Sequence, residues 1–458
     1  MSFDIPSDTP LGLIRRAPEN FVSRSDIAFV NRASDTDRRG FFKKAFAAAV
    51  ASSAAGAMVA TPRFAMAAQG DPAILNLPEH SKGLGQPVAT MPYGMPSQYE
   101  KNLQRRESPG LTRVGGSSVS FCPLQGLFGI ITPSGLHFER HHQGWWDIDP
   151  TQHRLMINGL VKRQMVFTVD ELMRMESVSR VHFIECGANS GMEWANVAVP
   201  TVQYTHGMLS CSEFTGVPLI KVLEYCGVDL KKGRFILAEG ADGSSMTRTI
   251  PMELVESGEV LLAYGQNGEM LRPENGYPLR LVVPGVQGVS WVKYLRRIEV
   301  GDKPYGTKDE AIHYVDLMPD GTHRQYTSIQ ECKSVITTPS GGQQLLGPGF
   351  YNITGLAWSG RGKITAVDVS TDGGKSWKTA KLQGPVHDKS LTRFNLPWVW
   401  EGKGEALLQS RAVDSTGYVQ PSYRTLREKR DDKSIYHNNA IQSWRVDAAG
   451  EVHNVHVG

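Results

Sequence analysis

Five cysteines are spread over 458 residues, and no two of them form a Cys-x-x-Cys pair. That absence excludes haem attached through Cys-x-x-Cys-His and an iron–sulfur cluster built by this chain. Electrons that pass through this protein must therefore leave on another polypeptide. Long apolar runs are missing too, because the Ala-rich stretch from Ala45 to Ala60 is too short and too weakly apolar for a convincing membrane span. Neither sign of charge dominates. There are 49 Lys+Arg against 46 Asp+Glu, of which residues 1–67 hold 9 and 6, leaving 40 of each in the remainder. No basic stripe argues for nucleic acid, and the balance suits a soluble enzyme. With 40% hydrophobic residues a sizeable core is available, and the length favours two domains.

What the N-terminus does contain is an ordered signal. Asp37-Arg38-Arg39-Gly40-Phe41-Phe42-Lys43 precedes the Ala-rich stretch, and Ala65-Met66-Ala67 fits a small-x-small cleavage site. Residues 1–67 therefore read as a twin-arginine export signal, which predicts a periplasmic protein that folds and acquires a cofactor before export. A short basic surface helix is the competing reading, but the order of charged, apolar and cleavable regions disfavours it.

An odd number of cysteines in an oxidising compartment leaves at least one free, liganded or paired between molecules. The candidate is Cys186, in Val181-His182-Phe183-Ile184-Glu185-Cys186-Gly187-Ala188-Asn189. An apolar run fixes the direction of its sulfur, and the Gly/Asn turn that follows lets a cofactor approach, which suits a soft thiolate ligand to a metal. The bland alternative is a buried thiol acting as a small hydrophobe.

Residues 68–135 are rich in Pro, Gly, Ser and Thr and predict a loop-rich arm with little regular structure. Over 136–320, strand-like runs at Arg234 to Ala238, Val260 to Tyr264 and Leu279 to Val283 alternate with helix-like ones at Thr168 to Met175 and Pro218 to Cys226, so this block reads as mixed α+β. Residues 333–448 read as an all-β unit, an immunoglobulin-like β-sandwich with a structural role. Its strands are expected at Tyr351 to Trp358, Lys363 to Ser370 and Ala406 to Val413, with a tight turn at Asp372-Gly373-Gly374.

Within the α+β block, His137-Phe138-Glu139-Arg140-His141-His142-Gln143 packs three histidines and an arginine into seven residues. Arginine offers a planar fork matched to phosphate oxygens. Zinc is disfavoured, because adjacent histidines such as His141 and His142 point in different directions on regular backbone. A polar loop is the competing reading, and Trp145-Trp146 fit core or interface better than a cofactor box. Asp242 in Glu239-Gly240-Ala241-Asp242-Gly243 could be an ordinary turn residue, and Arg280 and Lys293 could be solvated strand residues.

As an ordered set these pieces resemble the sulfite oxidase family of molybdenum enzymes, and within it the sulfane dehydrogenase (SoxC) branch of the thiosulfate-oxidising Sox system. The resemblance covers nearly everything after residue 80. Its marks are Phe138-Glu139-Arg140-His141-His142, Ile148-Asp149-Pro150, Cys186-Gly187-Ala188-Asn189, Leu261 to Tyr264, Asn267-Gly268-Glu269, Gly276 to Gly285, Val292 to Leu295 and Asp372 to Trp377. It implies molybdenum held by Cys186 and one molybdopterin. It implies pterin and phosphate contacts from Phe138, Arg140, His141, His142, Asp242, Asn275, Arg280, Trp291 and Lys293. His141 stands where an Asn is common, and Asn275 where a pterin-side histidine falls. A homodimer through the C-terminal domain and a c-type cytochrome subunit (SoxD-like) as electron acceptor are implied as well, with no haem in this chain.

The departures from the family pattern bear on substrate. Where sulfite-oxidising relatives carry a pocket arginine after the cysteine, the place falls at Gly191; a common Arg-Trp pair is Glu213-Phe214; a further pocket arginine gives way around His437. Fewer cations weaken binding of a small dianion, which favours sulfane sulfur borne on a carrier protein. Three alternatives compete: a free-sulfite dehydrogenase, a methionine sulfoxide reductase, which would lack the C-terminal sandwich, and a cofactor-free structural partner with the same fold.

Overall fold

The computed structural model describes residues 79–81, 84, 86–107, 118–194, 199–311, 313–325, 329–430 and 436–457. The expected export signal over 1–67 lies outside the described residues.

Two sheets build the central unit. In the first, Val178–Glu185 pairs antiparallel with Leu209–Pro218, which pairs with Leu261–Gln266; Glu269–Met270 and Arg280–Val282 add to that strand. Every residue of Leu261–Gln266 is buried, which explains its unbroken apolar reading. The second sheet runs Met165–Phe167, Leu155–Gly159, Leu295–Gly301, Phe235–Gly240, Thr247–Pro251, with one parallel pair between Leu155–Gly159 and Leu295–Gly301. Helices are short and locally specified. Thr168 and Glu171 form a capping box at the start of Val169–Met173, and Leu219–Cys226 buries Leu219, Val222 and Leu223 before Gly227 ends it at φ 74°.

The expectation of little regular structure before residue 135 holds only in part. Val119–Phe121 is the middle strand of a small sheet between Arg106–Glu107 and Glu139–Arg140. Three residues are too few to show a period of two, so pairing rather than local pattern makes this strand.

From Lys333 onward the chain forms two antiparallel sheets. One holds Lys333–Thr338, Gly349–Trp358, Thr392–Trp400 and Lys381–Leu382; the other holds Lys378–Thr379, Ile364–Ser370, Ala406–Asp414, Ser443–Val446 and Val452–Val455. Gly373 and Gly374 supply the positive φ angles, 75° and 87°, of the turn after Ile364–Ser370, and the Asp372 carboxylate accepts from the Ser376 N–H at 2.9 Å to close it. The chain is thus a mixed α+β unit followed by a β-sandwich. Among the described residues, no helix is long and apolar enough to cross a membrane.

Candidate cofactor site

Strand Val178–Glu185 ends one residue before Cys186, so the sheet aims the thiol. The Cys186 N–H donates to Met208 O at 3.0 Å, and Asn189 N–H closes the turn on Cys186 O at 2.9 Å. At the bend a Cβ on Gly187 would sit 2.7 Å from Gln287 Oε1, so any larger residue there would displace that side chain. All five cysteines are buried and free of disulfides. Cys186 faces a cavity that is also lined by Phe138, Arg140, His141, His142, Asp242, Asn275, Arg280, Trp291 and Lys293. Every residue expected to contact the cofactor reaches this one space.

The small sheet explains how Arg140 gets there. Val119 pairs with Arg140 and Ser120 with Glu139, which turns the loop after Glu139 over the cavity. Behind it, Glu139 is held by Arg105 at 2.6 Å and by His141 Nε2 at 2.7 Å. Lys293 Nζ donates to His141 Nδ1 at 2.9 Å, Glu274 O at 3.1 Å and Arg140 O at 3.3 Å. Both ring nitrogens of His141 are thereby engaged by protein groups, so it positions Lys293 rather than presenting a free nitrogen to the cavity.

Arg280 is 3% exposed and gives two N–H groups to Asn275 O at 2.8 Å and Trp291 O at 3.1 Å. Its Nε and the Asn275 amide nitrogen are buried without a partner. No carboxylate lies within ion-pair distance of Arg280 or Lys293 among the described residues. Burial therefore acts on both cations, pushing Lys293 down to about 7, with the Arg280 charge adding to the effect, and Arg280 down to about 10. Burial, reinforced by Arg140, holds His142 down at about 4, so its ring is neutral at pH 7. Asp242 accepts from Ser244 Oγ at 2.7 Å. The Trp291 N–H is spent on Val286 O at 3.2 Å, and its ring meets Phe214 edge-on at 5.4 Å, which makes it wall rather than donor.

These residues fit an anionic cofactor with a soft metal. Buried cations with no carboxylate at ion-pair distance, together with orphaned donors on Arg280 and Asn275, fit an anion rich in acceptors. Burial pushes the Cys186 thiol up and Arg140 opposes it; a bound metal cation would drive it to thiolate.

Sequence reasoning left the place of Tyr314 open and did not single out Tyr436, Arg248 or Gln287. Tyr314 lines the cavity at φ 55°, meets the Tyr436 ring at a tilt of 33° with 4.8 Å between centroids, and lies under the Arg248 guanidinium at 5.4 Å. Burial raises its phenol, with the nearby Cys186 thiol adding to the shift, so it stays a neutral donor. Gln287 is fully buried against Gly187 with neither amide atom partnered. A lone Tyr or Gln in a loop carries no periodic signal that could have found them. Gly191 opens the short turn Gly191–Glu193. His437 sits behind the Cys186 loop rather than on the cavity wall, its N–H on Gly187 O at 2.8 Å and its Nε2 2.9 Å from Glu331.

Comparison with known proteins gives a consistent picture. The family model of the oxidoreductase molybdopterin binding domain matches residues 142–308, and that of the Mo-co oxidoreductase dimerisation domain matches 324–443. The chain is 31% identical over 319 residues to sulfite oxidase of Gallus gallus, covering 64% of this chain and 68% of that protein. It is 34% identical to an NADH nitrate reductase of Hordeum vulgare, covering 69% of this chain and 39% of that longer protein. The crystal structure of the sulfane dehydrogenase SoxCD from Paracoccus pantotrophus is similar at 47% identity and a TM-score of 0.82, covering 85% of this chain and 99% of that one.

Proposed function

Because the chain belongs to the sulfite oxidase family of molybdopterin enzymes, we propose that it is a molybdenum-dependent sulfane dehydrogenase subunit, oxidising sulfane sulfur carried on a partner protein. The observation that carries this reading is the convergence of one free thiol, Cys186, with Arg140, Arg280 and Lys293 on one cavity. Molybdenum on a pterin dithiolene supplies, when bound, the two-electron redox chemistry at sulfur. Cys186 holds the metal as thiolate. Arg280 and Lys293 offer buried positive charge to the phosphate, while Asn275 and the neutral His142 offer hydrogen bonds to the pterin, and Asp242 accepts from it. Phe138 and Trp291 exclude water. Tyr314, a neutral phenol on the wall beside Cys186, is placed to donate a hydrogen bond to oxygen as oxidation adds it to the substrate sulfur.

Electrons then leave to a c-type cytochrome subunit, since this chain has no cysteine pair to hold haem. The β-sandwich supports a homodimer, and Arg38-Arg39 with the cleavage site at Ala65-Met66-Ala67 supports export to the periplasm by the twin-arginine route. Free sulfite is the second reading. Glycine at 191 and the burial of His437 behind the loop remove two cations that a small dianion would use, which favours the larger, carrier-borne sulfur.

Elemental analysis of the purified chain tests the core of this reading: about one molybdenum per chain is expected, as one thiolate ligand serves one metal, and Cys186→Ser should lose both metal and turnover. A native chain without molybdenum would leave a cofactor-free structural partner. Steady-state assays with cytochrome c should show faster reduction with carrier-bound sulfane than with free sulfite; the reverse order would make it a sulfite dehydrogenase.

A further inference from the structure

Cys186 belongs to the central unit, yet the loop that carries it is held from behind by the β-sandwich. Glu185, one residue earlier, is 3% exposed, and its carboxylate accepts three hydrogen bonds: Lys333 Nζ and Asn189 Nδ2, each at 3.0 Å, and Trp358 Nε1 at 2.8 Å. Lys333 and Trp358 face each other in register across the first two strands of the sandwich. Lys333 gives a second hydrogen bond to Ser190 Oγ at 2.6 Å and is itself only 3% exposed at its side chain. Further anchors come from the same side: Gln330 Nε2 on Glu185 O at 3.3 Å, and Asn438 Nδ2 on Ser190 O at 3.1 Å.

Two features say that this pairing specifies geometry rather than adding stability. A buried ion pair is a poor stabiliser, because desolvating both charges offsets their attraction, and apolar residues of like volume often do as well. Ser190 also sits at φ 62°, a left-handed conformation that a residue with a Cβ adopts at some strain. A loop with such a residue needs restraint from outside, and Lys333 bonds that residue and the Glu185 carboxylate together.

We infer that Lys333 and Glu185 are positioning residues, a clamp through which the β-sandwich holds the Cys186 loop in the conformation that binds the metal. This rests on Cys186 being a metal ligand. It gives the C-terminal unit a part in the cofactor site itself, beyond any role in dimerisation.

The full chain is produced with molybdenum cofactor and compared with the double variant Glu185→Gln/Lys333→Met, which leaves no charge unpaired, and with Ser190→Ala, which removes only the lysine's bond to the loop. The readouts are molybdenum per chain, the Mo(V) paramagnetic resonance signal after partial reduction, and the melting temperature. The double variant should keep its fold but carry about tenfold less molybdenum, the range seen when groups that orient metal ligands are removed, and Ser190→Ala should shift the Mo(V) signal. Native metal content with a native signal in both variants would overturn the clamp. If the double variant does not fold, Ser190→Ala decides alone: a shifted signal supports the clamp and an unchanged one overturns it. Cys186→Ser separates the two ideas. Loss of metal in that variant beside native clamp variants defeats only the clamp, whereas native metal and signal in Cys186→Ser defeat the reading of Cys186 itself.

Discussion

Lys293 and His141 meet nitrogen to nitrogen at 2.9 Å, and the other ring nitrogen of His141 lies 2.7 Å from Glu139. An ammonium can only donate, so Nδ1 of His141 accepts and Nε2 carries its proton toward the carboxylate. The histidine thus fixes Lys293 in place while Glu139, at the far side of the ring, stays out of contact with it. A positive charge on Lys293 beside the cavity is held there only at the cost of desolvation, which lowers its pKa to about 7.

That cost has a pH signature in the cofactor-free protein. Burial lowers Lys293 to about 7 in the folded chain, well under the usual lysine range, so above pH 7 the unfolded state binds more protons and stability rises with pH. Between about pH 7 and 9 the gain from this group approaches about 2 kcal/mol. Above that range the buried thiols, among them Cys122 raised by burial to about 12, act in the opposite direction. Thermal melts across this window should rise for the native chain and flatten for Lys293→Met. An equal slope in the variant would show that another group is responsible.

Acid should unfold the protein early. Burial holds His137 at about 3 and His142 and His182 at about 4. Their folded values lie below the unfolded one, so the stability of the neutral rings is lost as pH falls from about 6.5 through 4. Glu331, drawn down to about 2 by its hydrogen bond to His437 against the opposing effect of burial, adds loss of the same sign below its unfolded value. Urea midpoints should fall steeply over this range, and His182→Gln should make the fall shallower. A midpoint indifferent to pH between 6.5 and 4 would contradict the assignment.

Breaking the buried pair on one side should be worse than removing both charges. Lys333→Met leaves Glu185 buried without its cation, an expected loss of about 3–5 kcal/mol, whereas the double variant with Glu185→Gln should lose markedly less. Denaturant titration of both proteins measures the difference, and equal losses would mean that the two charges are not coupled.

Where the two units meet, backbone touches backbone. A Cβ on Gly360 would lie 1.9 Å from Gly285 O and 2.8 Å from Gln330 O. Gly360→Ala should lower stability by about 2–4 kcal/mol, since main chain cannot step aside as a side chain can. Gly94→Ala, with nothing within 4 Å of its Cβ, serves as the neutral comparison in the same melting experiment.

Local chemistry made much of this legible in advance. The Cys186 strand, the capped helix after Thr168 and the Asp372 turn each follow from neighbours a few residues apart, and each appears close to its expected place. The strand Val119–Phe121 did not show itself, because its reason to exist is a partner at Glu139–Arg140. The place of Tyr314 stayed open for the same reason, since its position on the cavity wall depends on Tyr436 and Arg248, which come from other parts of the chain.

The order of motifs along the chain determined the family, the α+β unit followed by a β-sandwich, and the cysteine best suited to a metal, because residue types and short-range periodicity carry those properties. Only the tertiary structure decided which His141 nitrogen faces Lys293, that Arg280 keeps an unpartnered Nε, and that Glu185 and Lys333, 148 residues apart, lock the Cys186 loop. Protonation and orientation depend on burial and on charges only a few ångströms away. Those distances exist only after residues remote in sequence have packed together.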